Sequence, residues 1–268
     1  MEVTSSAQAS RQSSAPLLGV LAVCAIVYVL DDLLHELGHA AATLLPVGVK
    51  LVLISTIGST TVGHSPVVAI AGPLVNFALA LALLAALAPN LSPVWRYFTW
   101  LLGTVNLFNA TAYFLYSSIL GTGDLAQVFN AVAVPGLWRP ILGPIGAVLY
   151  IASILASLAI LRRLCTSGVV APANVNRYCF STFWFGVLVL TAGAAFNPVS
   201  AWYILTVGAP TGLGMFGLLL LPLLLRRTRL TTTSTSESLR ITWPWIIAGV
   251  IAIIVFVGIF GPGIRLGK

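Results

Sequence analysis

The chain has 268 residues, of which 59% are hydrophobic and only 7% charged, and its mean hydropathy is +1.03. A soluble globular chain carries about 25% charged residues, so this composition excludes a soluble domain, a disordered chain and a coiled coil. The apolar runs are long, unlike the short alternating segments of a transmembrane β-barrel, which leaves an all-α polytopic membrane protein lodged in a lipid bilayer.

The net charge of +7 does not point to nucleic acid. The basic residues cluster at the ends of apolar runs, as in Arg162-Arg163 and Arg226-Arg227-Thr228-Arg229, where they anchor and orient membrane segments. Cys24, Cys165 and Cys179 have no metal or redox spacing and read as small buried apolar residues.

Residues 1–15 are polar and read as a disordered tail. A first helix is expected from Pro16 to about Leu45, where Pro46 stops it. Residues 47–64 are rich in β-branched side chains and broken at Gly58, which predicts a short hairpin at the membrane interface. Ser65-Pro66 is a helix start, with Ser as cap and Pro in the first turn, and the second helix runs to about Leu87. A third is expected over Val94–Leu120, followed by the break Gly121-Thr122-Gly123 just before Asp124. Further helices are expected over Arg139–Leu161, Phe180–Phe196, Val199–Leu225 (kinked at Pro210) and Trp243–Phe260, with a polar linker at 228–240. Each run is near the ~20 residues a bilayer requires. The sum is about seven crossings, with a core at 16–134 and additional helices of unknown role at 135–268.

Acidic residues are scarce, and four of the six lie inside or beside apolar runs: Asp31, Asp32, Glu36 and Asp124. A carboxylate at a helix centre costs about 2.5–3.5 kcal/mol on insertion scales, so such residues are functional candidates. His35-Glu36-Leu37-Gly38-His39 is an H-E-x-x-H pattern within a helical run. Residues four apart lie about 40° apart on one helix face, so His35 and His39 can ligate one metal ion. Glu36 beside them can act as general base on a water that the metal acidifies. Asp31 and Asp32 fall on the same side, about −40° and +60° from His35. They either hydrogen-bond the ligand imidazoles from behind or line a wet entrance. A catalytic zinc usually has three protein ligands. His64 and Asp124 are the candidates for the third. Topology favours Asp124, because two crossings return the chain to the same membrane face, where Gly121 and Gly123 let the backbone aim its carboxylate inward.

The helical H-E-L-G-H, a β-rich connection, and Ala71-Gly72-Pro73-Leu74-Val75-Asn76 opening the next span together resemble the site-2 protease family of intramembrane zinc metalloproteases. The resemblance covers roughly residues 16–130. It implies a three-helix catalytic core, Zn2+ held by His35, His39 and Asp124, and Glu36 as the base. Asn76, Asn106 and Asn109 would either contact the substrate backbone and oxyanion or make interhelical hydrogen bonds. The family commonly has Asn and Pro shortly before an Asp-Gly pair, whereas here Asp124 is followed by Leu125 and no Pro closely follows Asn109.

The expected function is therefore hydrolysis of a peptide bond in or near a transmembrane segment of a membrane-protein substrate, by a multi-pass protein of the plasma or inner membrane. The rivals are a metal-binding transporter and a non-proteolytic membrane scaffold. With the N-terminus inside, nine of the 13 basic residues fall in inside segments, which the positive-inside rule favours and which sets the metal site near the outer face.

Overall fold

The computed structural model describes residues 17–45, 48–56, 58–132, 137–198, 208–227 and 239–266. The expected tail 1–15, the start of the sixth expected helix and most of the linker 228–240 lie outside them. Helices α1 (Leu17–Ala42), α2 (Pro66–Ala85), α3 (Pro93–Leu120), α4 (Asp124–Val132), α5 (Arg139–Thr166), α6 (Pro172–Ala195), α7 (Ala209–Gly214), α8 (Gly217–Arg226) and α9 (Trp243–Val255) form a bundle, and α9 continues into a π-helical turn at Phe256–Phe260. Proline stands in the first turn of α2, α3, α5, α6, α7 and α9, where its missing N–H removes no helical hydrogen bond. Ser65 caps α2 by accepting from Val67 N, as the sequence suggests.

Helix α3 is the axis of the bundle and packs against α1, α2, α4, α5 and α7. The core is filled by large side chains such as Tyr28, Trp100, Phe108, Phe183 and Phe256. The outward surface is also apolar, with Leu81, Val148, Ile151, Leu188, Ile251 and Ile254 among its exposed residues. An apolar belt on this scale is not a water-facing surface; it suits a bilayer, whose lipid faces only satisfied helical backbone.

Among the described residues, five helices are long and apolar enough to cross a membrane: α1, α2, α5, α6 and α9 with its π-turn. The expected count of about seven is not confirmed among the described residues, for two reasons. Helix α3 is 28 residues long, but its buried Arg96, Thr99, Thr104, Asn106 and Asn109 set it apart from the apolar spans. Residues 199–207 of the sixth expected helix lie outside the described residues, and its described part is divided into α7 and α8, with Pro210–Arg226 as a shorter apolar stretch. Conversely, α4 was not expected, and α6 starts at Pro172, eight residues before the expected Phe180.

The hairpin after α1 is present as β1 (Lys50–Ser55) and β2 (Gly58–Val62), antiparallel, with a register irregularity between Leu51 and Leu53. A third strand, β3 (Ile264–Arg265), pairs with the other side of β1, giving the order β2-β1-β3. The sheet is tied to the bundle by Thr56 N–H donating to Phe260 O (3.0 Å) and by Asn197 Nδ2 donating to Thr56 O (2.8 Å). Strand β2 remains an edge.

Close helix contacts depend on missing side chains. A Cβ at Gly186 of α6 would lie 1.9 Å from the ring of the fully buried Tyr28 of α1. Gly186→Ala is expected to lower the stability of the detergent-solubilised protein by about 1–3 kcal/mol, the usual cost of overpacking a core. Thermal denaturation measures this, and an unchanged midpoint would contradict the α1–α6 packing.

Candidate metal centre

His35 and His39 lie one turn apart on α1 and face α2 and the turn between α3 and α4. That turn is built for one purpose visible in its geometry: Gly121 (φ +71°) and Gly123 (φ +84°) both adopt the left-handed conformation that side chains resist. The Gly121 N–H donates to Ser117 O (2.9 Å), and Arg139 donates from Nε to Ser118 O (2.7 Å) and from Nη2 to Ile119 O, so the last carbonyls of α3 are satisfied. Asp124 then opens α4 and directs its carboxylate back at the histidines. Asp124 Oδ2 lies 3.0 Å from His35 Nε2 and 3.4 Å from His39 Nε2, and the two Nε2 atoms are 3.1 Å apart. Both imidazoles are buried, with 5% and 8% of their side chains exposed, against 16% for Asp124.

The hydrogen bonds behind the rings decide what these three atoms can do. His39 Nδ1 donates to the carbonyl of Val68 (2.7 Å), which can only accept. In the neutral imidazole, His39 Nε2 then presents a lone pair. The same conclusion for His35 follows through two amides. Leu102 O accepts from Asn106 Nδ2 (2.9 Å), which leaves Asn106 Oδ1 to accept from Asn76 Nδ2 (3.1 Å). Asn76 Nδ2 also donates to Asp31 Oδ1 (2.7 Å). Asn76 Oδ1 then faces His35 Nδ1 at 2.8 Å, so this nitrogen carries the hydrogen and, in the neutral ring, His35 Nε2 is open. Asn109 Nδ2 donates to the second oxygen of Asp31 (2.8 Å) and holds the carboxylate in place.

With both rings neutral, three acceptors converge on one another, a geometry that a cation between them would satisfy. A tetrahedral ion with bonds of about 2.0–2.1 Å separates its ligands by about 3.3–3.4 Å, close to the 3.0–3.4 Å seen here. The His, His, carboxylate set also suits a divalent metal. His35, His39 and Asp124 are a group that can hold a metal ion.

Helix α2 closes the back of the site. A Cβ at Gly72 would fall 2.4 Å from His39 Nε2 and 2.7 Å from His35 Nε2, and one at Gly38 would meet Ala71 O at 3.0 Å. Small residues on both helices therefore let the backbones approach until the imidazoles reach α2.

The front is a cavity of about 370 Å³, lined by Glu36, His39 and Asp124, by Gly58, Ser59 and Thr61 of β2, and by His64, Tyr113, Tyr116 and Gln127 among others. Glu36 accepts from Ser59 Oγ (2.5 Å), so the edge strand fixes the carboxylate beside the site. Tyr113 is stacked on His35 (ring centroids 5.2 Å, 17° between planes), and its hydroxyl lies 3.2 Å from His35 Nε2.

Measured against the sequence, His35, Glu36, His39 and Asp124 come together as expected. His64 is exposed at the cavity wall and does not join the triad. Asp31 reaches His35 only through Asn76, and Asn76 and Asn109 are buried in the network behind the rings, outside the cavity lining. Ser59, Gly72 and Tyr113 were not anticipated. Tyr113 had a signal: with Asn106 and Asn109 it forms an i, i+3, i+7 polar stripe on α3. Ser59 had none, because its contact depends on hairpin register.

Comparison of the chain with protein-family models, curated proteins and solved structures returned no match.

Two substitutions test this geometry. Gly72→Ala keeps a good helix former in α2 but intrudes on both Nε2 atoms, and is expected to lose bound metal with the helical circular dichroism unchanged; retained metal would contradict the α1–α2 approach. Asn76→Ala removes the acceptor for His35 Nδ1 and is expected to weaken metal affinity about 10–100-fold, as loss of such supporting partners does. A competition titration with a chelating dye measures it.

Proposed function

We propose that this protein is an intramembrane zinc metalloprotease, similar to the site-2 protease family, that cleaves a peptide bond in or near a transmembrane segment of another membrane protein. The observation that carries the reading is the joint geometry of two imidazole lone pairs, one carboxylate, and a second carboxylate held at their side within a cavity. The metal is taken as zinc because two histidines, one carboxylate and an open position toward a cavity are the pattern of catalytic zinc sites.

When bound by His35, His39 and Asp124, the ion supplies Lewis acidity toward a carbonyl oxygen and makes water more acidic. Glu36, held by Ser59, takes a proton from the attacking water and delivers it to the leaving amine. The Tyr113 hydroxyl lies on the same side of His35 Nε2 as the cavity and donates to the oxygen that gains charge as the carbonyl is attacked. A transmembrane helix hides its carbonyls in its own hydrogen bonds, so the substrate must unwind locally. Strand β2 is the sheet edge and supplies Gly58, Ser59 and Thr61 to the cavity wall. An extended substrate segment added to that edge would lie beside Glu36.

A metal-binding transporter is the rival, favoured by the buried polar column of Asp31, Asn76, Asn106 and Asn109. Glu36→Gln separates the two. The protease reading predicts that this variant keeps its metal and loses about 10²–10⁴-fold in cleavage rate, the usual contribution of a general base. The assay uses purified protein and a panel of single-span membrane proteins, reading new N-termini by mass spectrometry. Metal flux into proteoliposomes that is indifferent to Glu36→Gln would contradict it.

A further inference from the structure

Glu36 accepts from Ser59 Oγ, and Ser59 stands in β2 directly after Gly58, where the hairpin turns back from β1. A connecting turn ordinarily lies at the surface, because its backbone polar groups need water. This one is sunk into the bundle: Ser55 and Thr56 are both fully buried. Their polar groups must find partners in the protein, and one side chain of the second half of the chain supplies two bonds. Asn197 lies two residues beyond the end of α6 and is buried. Its own backbone is fixed, with its N–H donating to Ala194 O (3.1 Å).

The direction of each bond is forced. Asn197 Nδ2 donates to Thr56 O (2.8 Å), a carbonyl that can only accept, which fixes the orientation of the amide. The same nitrogen donates its second hydrogen to Ser55 Oγ (2.9 Å). Ser55 Oγ then donates to Gly58 O (2.6 Å), again a carbonyl. The carbonyl of Gly58 and the N–H of Ser59 belong to one planar peptide unit, so a bond that holds Gly58 O also sets the plane from which Ser59 starts. We propose that Asn197 is a positioning residue for the chemistry: through Ser55 and the Gly58–Ser59 peptide it places the Ser59 hydroxyl, and with it the Glu36 carboxylate, within reach of the proton to be moved. The proposal rests on the reading of Glu36 as general base. A base acts only from hydrogen-bond distance, and a displacement of about 1 Å at a reacting group costs up to about 100-fold in rate. The end of α6 thereby has a share in the site, although among the described residues the cavity lining ends at Gln127.

The test uses the purified full chain with three readouts: cleavage rate, zinc content, and hydrogen exchange over residues 50–62. Asn197→Ala is expected to lower kcat about 10–100-fold, the usual cost of removing a supporting partner, while zinc content stays at the wild-type level. Hydrogen exchange is expected to speed up in the hairpin and not in α1. Ser55→Ala keeps the Asn197–Thr56 bond and breaks only the link to Gly58; it is expected to reproduce the loss, and it guards against a folding defect in Asn197→Ala. Ser59→Ala supplies the decisive comparison. If Asn197 acts through Ser59, adding Asn197→Ala to Ser59→Ala costs no further rate, whereas a merely structural role adds its own loss. Additive losses in the double variant, unchanged exchange in the hairpin, or wild-type cleavage in Asn197→Ala and Ser55→Ala would overturn the positioning role. A wild-type protein that cleaves no substrate would instead overturn the protease reading on which that role rests.

Discussion

The structure turns on three atoms that, with both imidazoles neutral, are all acceptors. His35 Nε2, His39 Nε2 and Asp124 Oδ2 stand 3.0–3.4 Å apart, and the protons that might separate them are committed elsewhere, on nitrogens facing Asn76 and Val68. In water such a cluster would relax by turning its rings. Here Val68 O, Asn76, Tyr113 and the absent side chain of Gly72 hold the rings in place. With neutral rings the energetic conflict is built in, and a cation would resolve it.

That constraint accounts for much of the bundle's departure from a simple apolar assembly. Buried amides and carboxylates are costly in such surroundings unless every group has a partner, and the partners are present: Leu102 O orients Asn106, Asn106 orients Asn76, and Asn76 with Asn109 satisfies Asp31. Helix α3 contributes two of these amides as well as Tyr113, and it lies at the centre of the bundle with α1, α2 and α5 around it. Its modest hydropathy is the consequence of supplying the site. The edge strand then completes the front, because the carboxylate that does not ligate is the one Ser59 holds.

How much of this the sequence revealed depended on range. The i, i+4 histidines are a local pattern, and α1 delivers them as its periodicity requires. The Ser65-Pro66 start, the proline-led helices and the hairpin are also local and were legible. Asp124 was reached by counting crossings and by the glycines before it. The left-handed turn does lie at Gly121 and Gly123 and brings Asp124 to the histidines. What could not be read was long-range. Residues 264–265 give no sign that they pair with β1 across the whole chain. The roles of Asn76 and Asn109 were left open between substrate and helix contacts, and only the directions of their hydrogen bonds place them behind His35 and Asp31. Gly72 could be noted as part of a motif, but its reason, two imidazole nitrogens against the backbone, is visible only once α1 and α2 are packed.

The central claim is that this buried triad holds one divalent ion, and the metal content of the purified full chain tests it most directly. Wild type and Asp124→Ala would be compared by elemental mass spectrometry after incubation with zinc and removal of free metal. The account predicts about one ion per chain in wild type and little or none in Asp124→Ala. A wild-type protein that retains no metal, or an Asp124→Ala variant that keeps it in full, would contradict it.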